Sequence, residues 1–141
     1  MKKGLIIYLC ILSTVCLFWA CDVPTTVPVA KVNFTLPVYS NNLVRVGGYE
    51  YVTGAIKGLV IYRSDMETFY AYDRACPYDW KEDGYVVVDS TNSFQLICEN
   101  CQSTFSISTG YPIGKVKADA PLRPYRVVMI DDFNIRVSNW N

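Results

Sequence analysis

From Val32 onward the chain falls into short apolar or alternating runs separated by polar turns, and no stretch keeps a helical apolar period over three turns. Val32-Asn-Phe-Thr-Leu36 alternates and is stopped by Pro37, which predicts a first strand. Leu43-Val-Arg-Val46, ended by Gly47-Gly48, predicts a second. Three hairpins follow. Leu59–Arg63 and Phe69–Asp73 flank a polar turn, as do Tyr85–Val88 with Phe94–Ile97 and Tyr125–Ile130 with Phe133–Val137. Short strands with frequent turns predict an all-β sandwich or small barrel of antiparallel sheets. Two cysteine-bearing stretches fall just after return strands: Cys76-Pro-Tyr78, and Cys98-Glu-Asn-Cys-Gln-Ser-Thr-Phe105. Strand ends are where loops converge, so these positions suit a site better than a core.

The N-terminus follows a different pattern. Lys2 and Lys3 precede an almost purely apolar run from Gly4 to Trp19, and Ala20-Cys21 comes next. A basic start, an apolar stretch and a small residue before the cut describe a secretory signal over residues 1–20. Ala20-Cys21 also resembles the lipobox of bacterial lipoproteins, with Phe18 where Leu is usual. It implies lipidation at Cys21, a membrane partner through that lipid, and an exported protein anchored in the bacterial cell envelope. Residues 21–31 are rich in Pro and Thr and read as a tether, leaving 32–141 as the folded domain. Outside the cytoplasm, disulfides persist.

Charge and composition narrow the chemistry. Lysines and arginines equal aspartates and glutamates at 13 each, so nothing points to nucleic acid. The chain has no histidine, which removes Ser-His-Asp and Cys-His hydrolysis. Among the remaining functions an enzyme is the less expected one. Beyond the signal and Cys21, the cysteines are Cys76, Cys98 and Cys101. This odd number allows one disulfide and a free thiol, or a shared metal. A structural zinc site needs four ligands, so three thiolates leave one position for Tyr78, Asp79 or Glu99.

At Cys76-Pro-Tyr78 and Cys98-x-x-Cys101-Gln-Ser-Thr-Phe105 the sequence resembles the Rieske iron–sulfur domain, which carries Cys-x-His and Cys-x-x-His-Gly-Ser-x-Phe in two loops. In that family two cysteines hold one iron of a [2Fe–2S] cluster and two histidines hold the other. The flanks agree from about Leu43 to Val137. The resemblance implies a Rieske-like domain of small antiparallel sheets with a two-loop cluster-binding subdomain. Carried over residue by residue, Cys76 and Cys98 match the cysteine ligands, while Tyr78 and Cys101 stand at the histidine positions. Ser103 and Phe105 are kept as cluster-loop support, and Gln102 replaces the loop glycine.

Three readings follow from this pattern. The cluster site is degenerate and the domain is a disulfide-stabilised structural or interaction module with a protein partner. The cysteines that share one iron in the family lie close, so a Cys76–Cys98 bridge is implied, with Cys98–Cys101 and Cys76–Cys101 as rivals; such a bridge contributes about 3 kcal/mol. Alternatively a [2Fe–2S] cluster is held by Cys76, Tyr78, Cys98 and Cys101 for electron transfer, at a lower potential than a histidine-ligated one. The third reading is a mononuclear cysteine-rich zinc site.

Overall fold

The computed structural model describes residues 27–39, 42–114 and 116–139. The signal segment, Cys21 and the tether up to residue 26 lie outside the described residues. Among the described residues ten strands occur in chain order: β1 (Asn33–Pro37), β2 (Tyr49–Val52), β3 (Leu59–Arg63), β4 (Phe69–Asp73), β5 (Val86–Val88), β6 (Gln95–Cys98), β7 (Thr104–Ser106), β8 (Pro112–Ile113), β9 (Pro124–Asp131) and β10 (Asn134–Ser138). They form a six-stranded sheet in the order β1-β10-β9-β4-β3-β2 and a four-stranded sheet in the order β5-β6-β7-β8. Every pairing within the sheets is antiparallel. The only helical pieces among the described residues are single 3-10 turns at Asn42–Val44 and Trp80–Glu82.

Strand β3 positions everything else, because all five of its residues are buried. Side chains alternate across a strand. Leu59 and Ile61 therefore enter one core, with Phe69, Ala71, Tyr125, Ile135 and Val137. Val60 and Tyr62 enter the other, with Tyr72, Val86, Leu96, Phe105, Ile107 and the three cysteines. A strand covered on both faces reads as a continuous apolar run, as LVIY does here. Its terminal Arg63 is buried, and its guanidinium donates to the carbonyls of Leu43, Val44, Asp65 and Met66 at 2.8–3.2 Å.

That grip explains one departure from the sequence reading. Leu43–Val46 was expected as a strand, but Asn42–Val44 forms a 3-10 turn. Leu43 is fully buried while Val44 and Val46 are both exposed, so the run buries one side chain rather than one face. The strand lies just beyond, at β2, whose Tyr49–Val52 pairs with Tyr62–Leu59. Residues 27–31, the described end of the stretch read as a tether, lie along the domain. Val27 is buried, and the Arg123 guanidinium donates to its carbonyl at 2.8 Å.

Candidate metal centre

Two loops at one end of the four-stranded sheet carry the site. The first leaves β4 through Asp73, whose buried carboxylate accepts from the N–H groups of Ala75, Ile56 and Lys57 at 2.9–3.1 Å. That fixes the chain where it turns toward Cys76. Ala75 then bridges to Tyr85, and the Cys76 N–H donates to the Gly84 carbonyl at 3.1 Å. The loop closes on itself through Trp80 N–H to the Cys76 carbonyl (2.9 Å) and Gly84 N–H to the Asp79 carbonyl (2.9 Å). Gly84 is required by close approach. A methyl group built there would overlap the Asp79 carboxyl group and stand 2.7 Å from its carbonyl oxygen.

The second loop closes β6 onto β7. Cys98 lies opposite Val86 at the end of β6. Its N–H donates to the Ser103 carbonyl and its carbonyl accepts from Gln102 N–H, each at 2.9 Å. Gln102 takes a left-handed φ of 61° to make that turn. Glycine reaches this region without steric cost, which explains why glycine suits the position in the Rieske pattern. Asn100 ties the loops together by donating its side-chain amide to the Glu82 carbonyl at 3.2 Å.

These turns bring four side chains together. One donor atom from each of Cys76, Asp79, Cys98 and Cys101 lies within 4.8 Å of every other, and all four residues are buried. The Cys76 and Cys101 sulfurs are 3.7 Å apart, and the Cys98 thiol donates to Asp79 Oδ1 at 3.4 Å. The three cysteines are free thiols. Backbone N–H groups point at the sulfurs: Tyr78 at Cys76, and Asn100 and Cys101 at Cys98.

Electrostatics favour neutral thiols at Cys76 and Cys98 in the absence of a cation. Burial pushes the Cys76 thiol far up, and Asp79 and Cys98 beside it act in the same direction, against the Tyr78 N–H. Burial pushes Cys98 up to about 11, against the N–H groups of Cys101 and Asn100. A bound metal reverses that balance, since thiolate is the ligand form and binding releases the proton.

The other expected site residues take distinct places. Ser103 is fully buried, and its Oγ accepts from the Cys101 thiol (3.1 Å) and from the N–H groups of Lys117 (3.2 Å) and Ala118 (3.1 Å). It thereby pins the segment after β8 over the cysteines. Phe105 is fully buried in the core beneath them. Tyr78 is 55% exposed, with the Lys117 ammonium 5.9 Å from its ring centre. Glu99 is also exposed, and its carboxylate accepts from the Tyr85 hydroxyl. Of the three fourth-ligand candidates Tyr78, Asp79 and Glu99, Asp79 is therefore the one that joins the thiols. The Cys-x-x-Asp spacing of Cys76 and Asp79, with Gly84 closing the turn, is the sequence signal for it.

No family profile matches the chain, and no curated protein does. Solved structures do. A chain of the complex of reduced oxygenase and oxidized ferredoxin in carbazole 1,9a-dioxygenase aligns with a TM-score of 0.54 and 20% identity, over 76% of this chain and 93% of that one. The ferredoxin of carbazole 1,9a-dioxygenase from Nocardioides aromaticivorans IC177 aligns with a TM-score of 0.50 and 19% identity, over 79% of this chain and 100% of that one. These likenesses establish the fold, which is all-β and Rieske-like, with antiparallel sheets and a two-loop subdomain.

Proposed function

We propose that this protein is a lipid-anchored protein of the bacterial cell envelope whose Rieske-like domain is a structural or interaction module rather than a [2Fe–2S] electron carrier. One observation carries the reading: the converging donors are three thiols and a carboxylate within 4.8 Å of one another. A Rieske cluster needs two imidazoles on its second iron, and the chain has no histidine. Tyr78, at one of the two positions, is solvent-exposed beside Lys117. A two-iron cluster also separates its two ligand pairs by the length of the iron–sulfide unit between them, whereas these four atoms all lie within 4.8 Å of one another. The donor set does not fit the cluster, and no electron-transfer step is assigned to it.

The module's loops are joined through the thiols and Asp79. Its anchor is Cys21, read from the apolar run and Ala20-Cys21 of the sequence. A protein partner accords with the structural neighbour seen in a complex of oxygenase and ferredoxin.

The test is the visible spectrum, iron and acid-labile sulfide content of the full chain purified in mild detergent. A protein without visible bands and without sulfide is expected. A red-brown protein carrying two irons and two sulfides per chain would overturn the reading. Metabolic labelling with a fatty acid is expected to mark the wild type and not Cys21→Ala; label retained in the variant would remove Cys21 as the anchor.

A further inference from the structure

We infer that Cys76, Asp79, Cys98 and Cys101 form a closed, tetrahedral site for one zinc(II) ion, which staples the two loops together. The inference rests on the reading that the loops hold no two-iron cluster, and it deepens that reading by naming the occupant.

Tetrahedral geometry fixes the spacing of ligands around one ion. With Zn–S near 2.3 Å and Zn–O near 2.0 Å, two sulfurs stand about 3.8 Å apart and a sulfur and an oxygen about 3.5 Å apart. The Cys76–Cys101 sulfurs are separated by 3.7 Å, and Cys98 Sγ lies 3.4 Å from Asp79 Oδ1. These two pairs share no atom, so they are opposite edges of the four-atom figure, and both match the length that a single tetrahedral ion sets. The remaining edges stay within 4.8 Å.

The ligands are also presented as a metal site presents them. Each loop supplies two: Cys76-x-x-Asp79 from one and Cys98-x-x-Cys101 from the other. Backbone N–H groups of Tyr78, Asn100 and Cys101 face the sulfurs, where they stabilise thiolate. Ser103 Oγ sits 3.1 Å from Cys101 Sγ and is held by two further backbone N–H groups. Its hydroxyl hydrogen can turn to the sulfur once that sulfur is a thiolate, the outer-shell support that orients a ligand. Gly84 leaves room for the Asp79 carboxylate, so it is a positioning residue.

Thiolate with carboxylate suits zinc better than hard cations, which take oxygen donors. All four residues are buried, so no coordination position opens to solvent and the ion is structural rather than catalytic. On binding, the three thiols release three protons and the zinc takes three thiolates and one carboxylate, with no change of oxidation state.

The test is metal analysis of the full chain in detergent, followed by cobalt(II) titration of the metal-free reduced protein. One zinc per chain is expected, with tetrahedral cobalt(II) bands and thiolate charge-transfer absorption that zinc abolishes. Asp79→Asn is expected to weaken cobalt(II) binding by roughly tenfold or more while keeping the charge-transfer band. Asp79→Cys, which preserves a four-ligand set, is expected to bind and to strengthen that band. Gly84→Ala, which removes no ligand, is expected to weaken binding as Asp79→Asn does.

A chain that takes up no metal, or one in which mass spectrometry finds Cys76 and Cys101 joined in a disulfide as isolated, would overturn the zinc site and leave the absence of a two-iron cluster standing. A single iron without sulfide would overturn zinc as the occupant. Two irons with two sulfides would overturn both.

Discussion

From β3, Leu59 and Ile61 point into a core of aliphatic and aromatic side chains, while Val60 and Tyr62 point into one that also holds Cys76, Cys98 and Cys101. The first core lies within the six-stranded sheet, where strands β3, β4, β9 and β10 supply most of its members. It is held by apolar burial, with Arg63 bonded to the Leu43 carbonyl at its edge. The second is shared with the four-stranded sheet, whose strands have only two to four residues each. Short strands give little ladder to hold them, so the loops at their ends matter more. Neutral buried thiols pack there as small apolar groups. Once they ligate an ion, the same atoms join β4 to β6 covalently. The difference teaches that one fold combines a self-sufficient core with one whose firmness depends on what its sulfurs hold.

Removing metal is expected to have the largest effect on this contrast. Under reducing conditions with a chelator, amide exchange is expected to accelerate across Val86–Ser106 while β3, β9 and β10 stay protected. Equal acceleration in both sheets would show one cooperative core instead of two.

Paired core truncations sharpen it further. Phe105→Ala and Ile135→Ala each delete a fully buried side chain, with expected losses of about 3–5 and 2–5 kcal/mol in urea unfolding. Only Phe105→Ala is expected to lower the metal content of the isolated protein. Loss of metal from Ile135→Ala as well would break the separation.

A smaller effect is expected from pH on the metal-free reduced protein. The folded state holds the Cys98 proton to about pH 11, against an ordinary thiol value of 9.0. Below 9.0 both states keep the proton and the stability is fully present. As pH rises from there to about 11 the unfolded chain releases the proton first, so stability falls across that window. Cys98→Ser is expected to make this limb of the thermal-stability profile shallower, while Cys76, whose thiol burial also pushes up from 9.0, and buried Tyr72, pushed up from 10.0, keep the rest of the slope. An unchanged limb would remove Cys98 from the account.

The smallest expected change is Gln102→Gly. Relieving the left-handed φ of 61° is worth about 1 kcal/mol, less the entropy that glycine adds to the unfolded chain, for a gain of roughly 0.5 kcal/mol in denaturant unfolding. A loss of stability would mean that the Gln102 amide bond to the Glu99 carbonyl outweighs the strain.

Much of this frame was legible in the sequence. The three hairpins fall where short apolar runs and polar turns put them, because each strand faces a core on one or both sides and its composition records that. Strands β7 and β8 were not assigned, since three and two residues are too short to carry a period. The turn at Asn42–Val44 was misread as a strand because the Arg63 grip on its carbonyls is a long-range contact that local composition does not show. At the site, Cys76, Cys98 and Cys101 stood out by residue type and spacing, and Ser103 and Phe105 by resemblance to the Rieske loop. Asp79 stood among three candidates for a fourth ligand. Choosing it needed the turn closed by Gly84, which turns Asp79 inward and leaves Tyr78 outside.

The most direct measurement is X-ray absorption at the metal edge of the full chain as isolated. The account predicts zinc with a first shell of three sulfurs near 2.3 Å and one oxygen near 2.0 Å, and no second metal beyond it. An iron edge with a short iron–iron scattering path would contradict it.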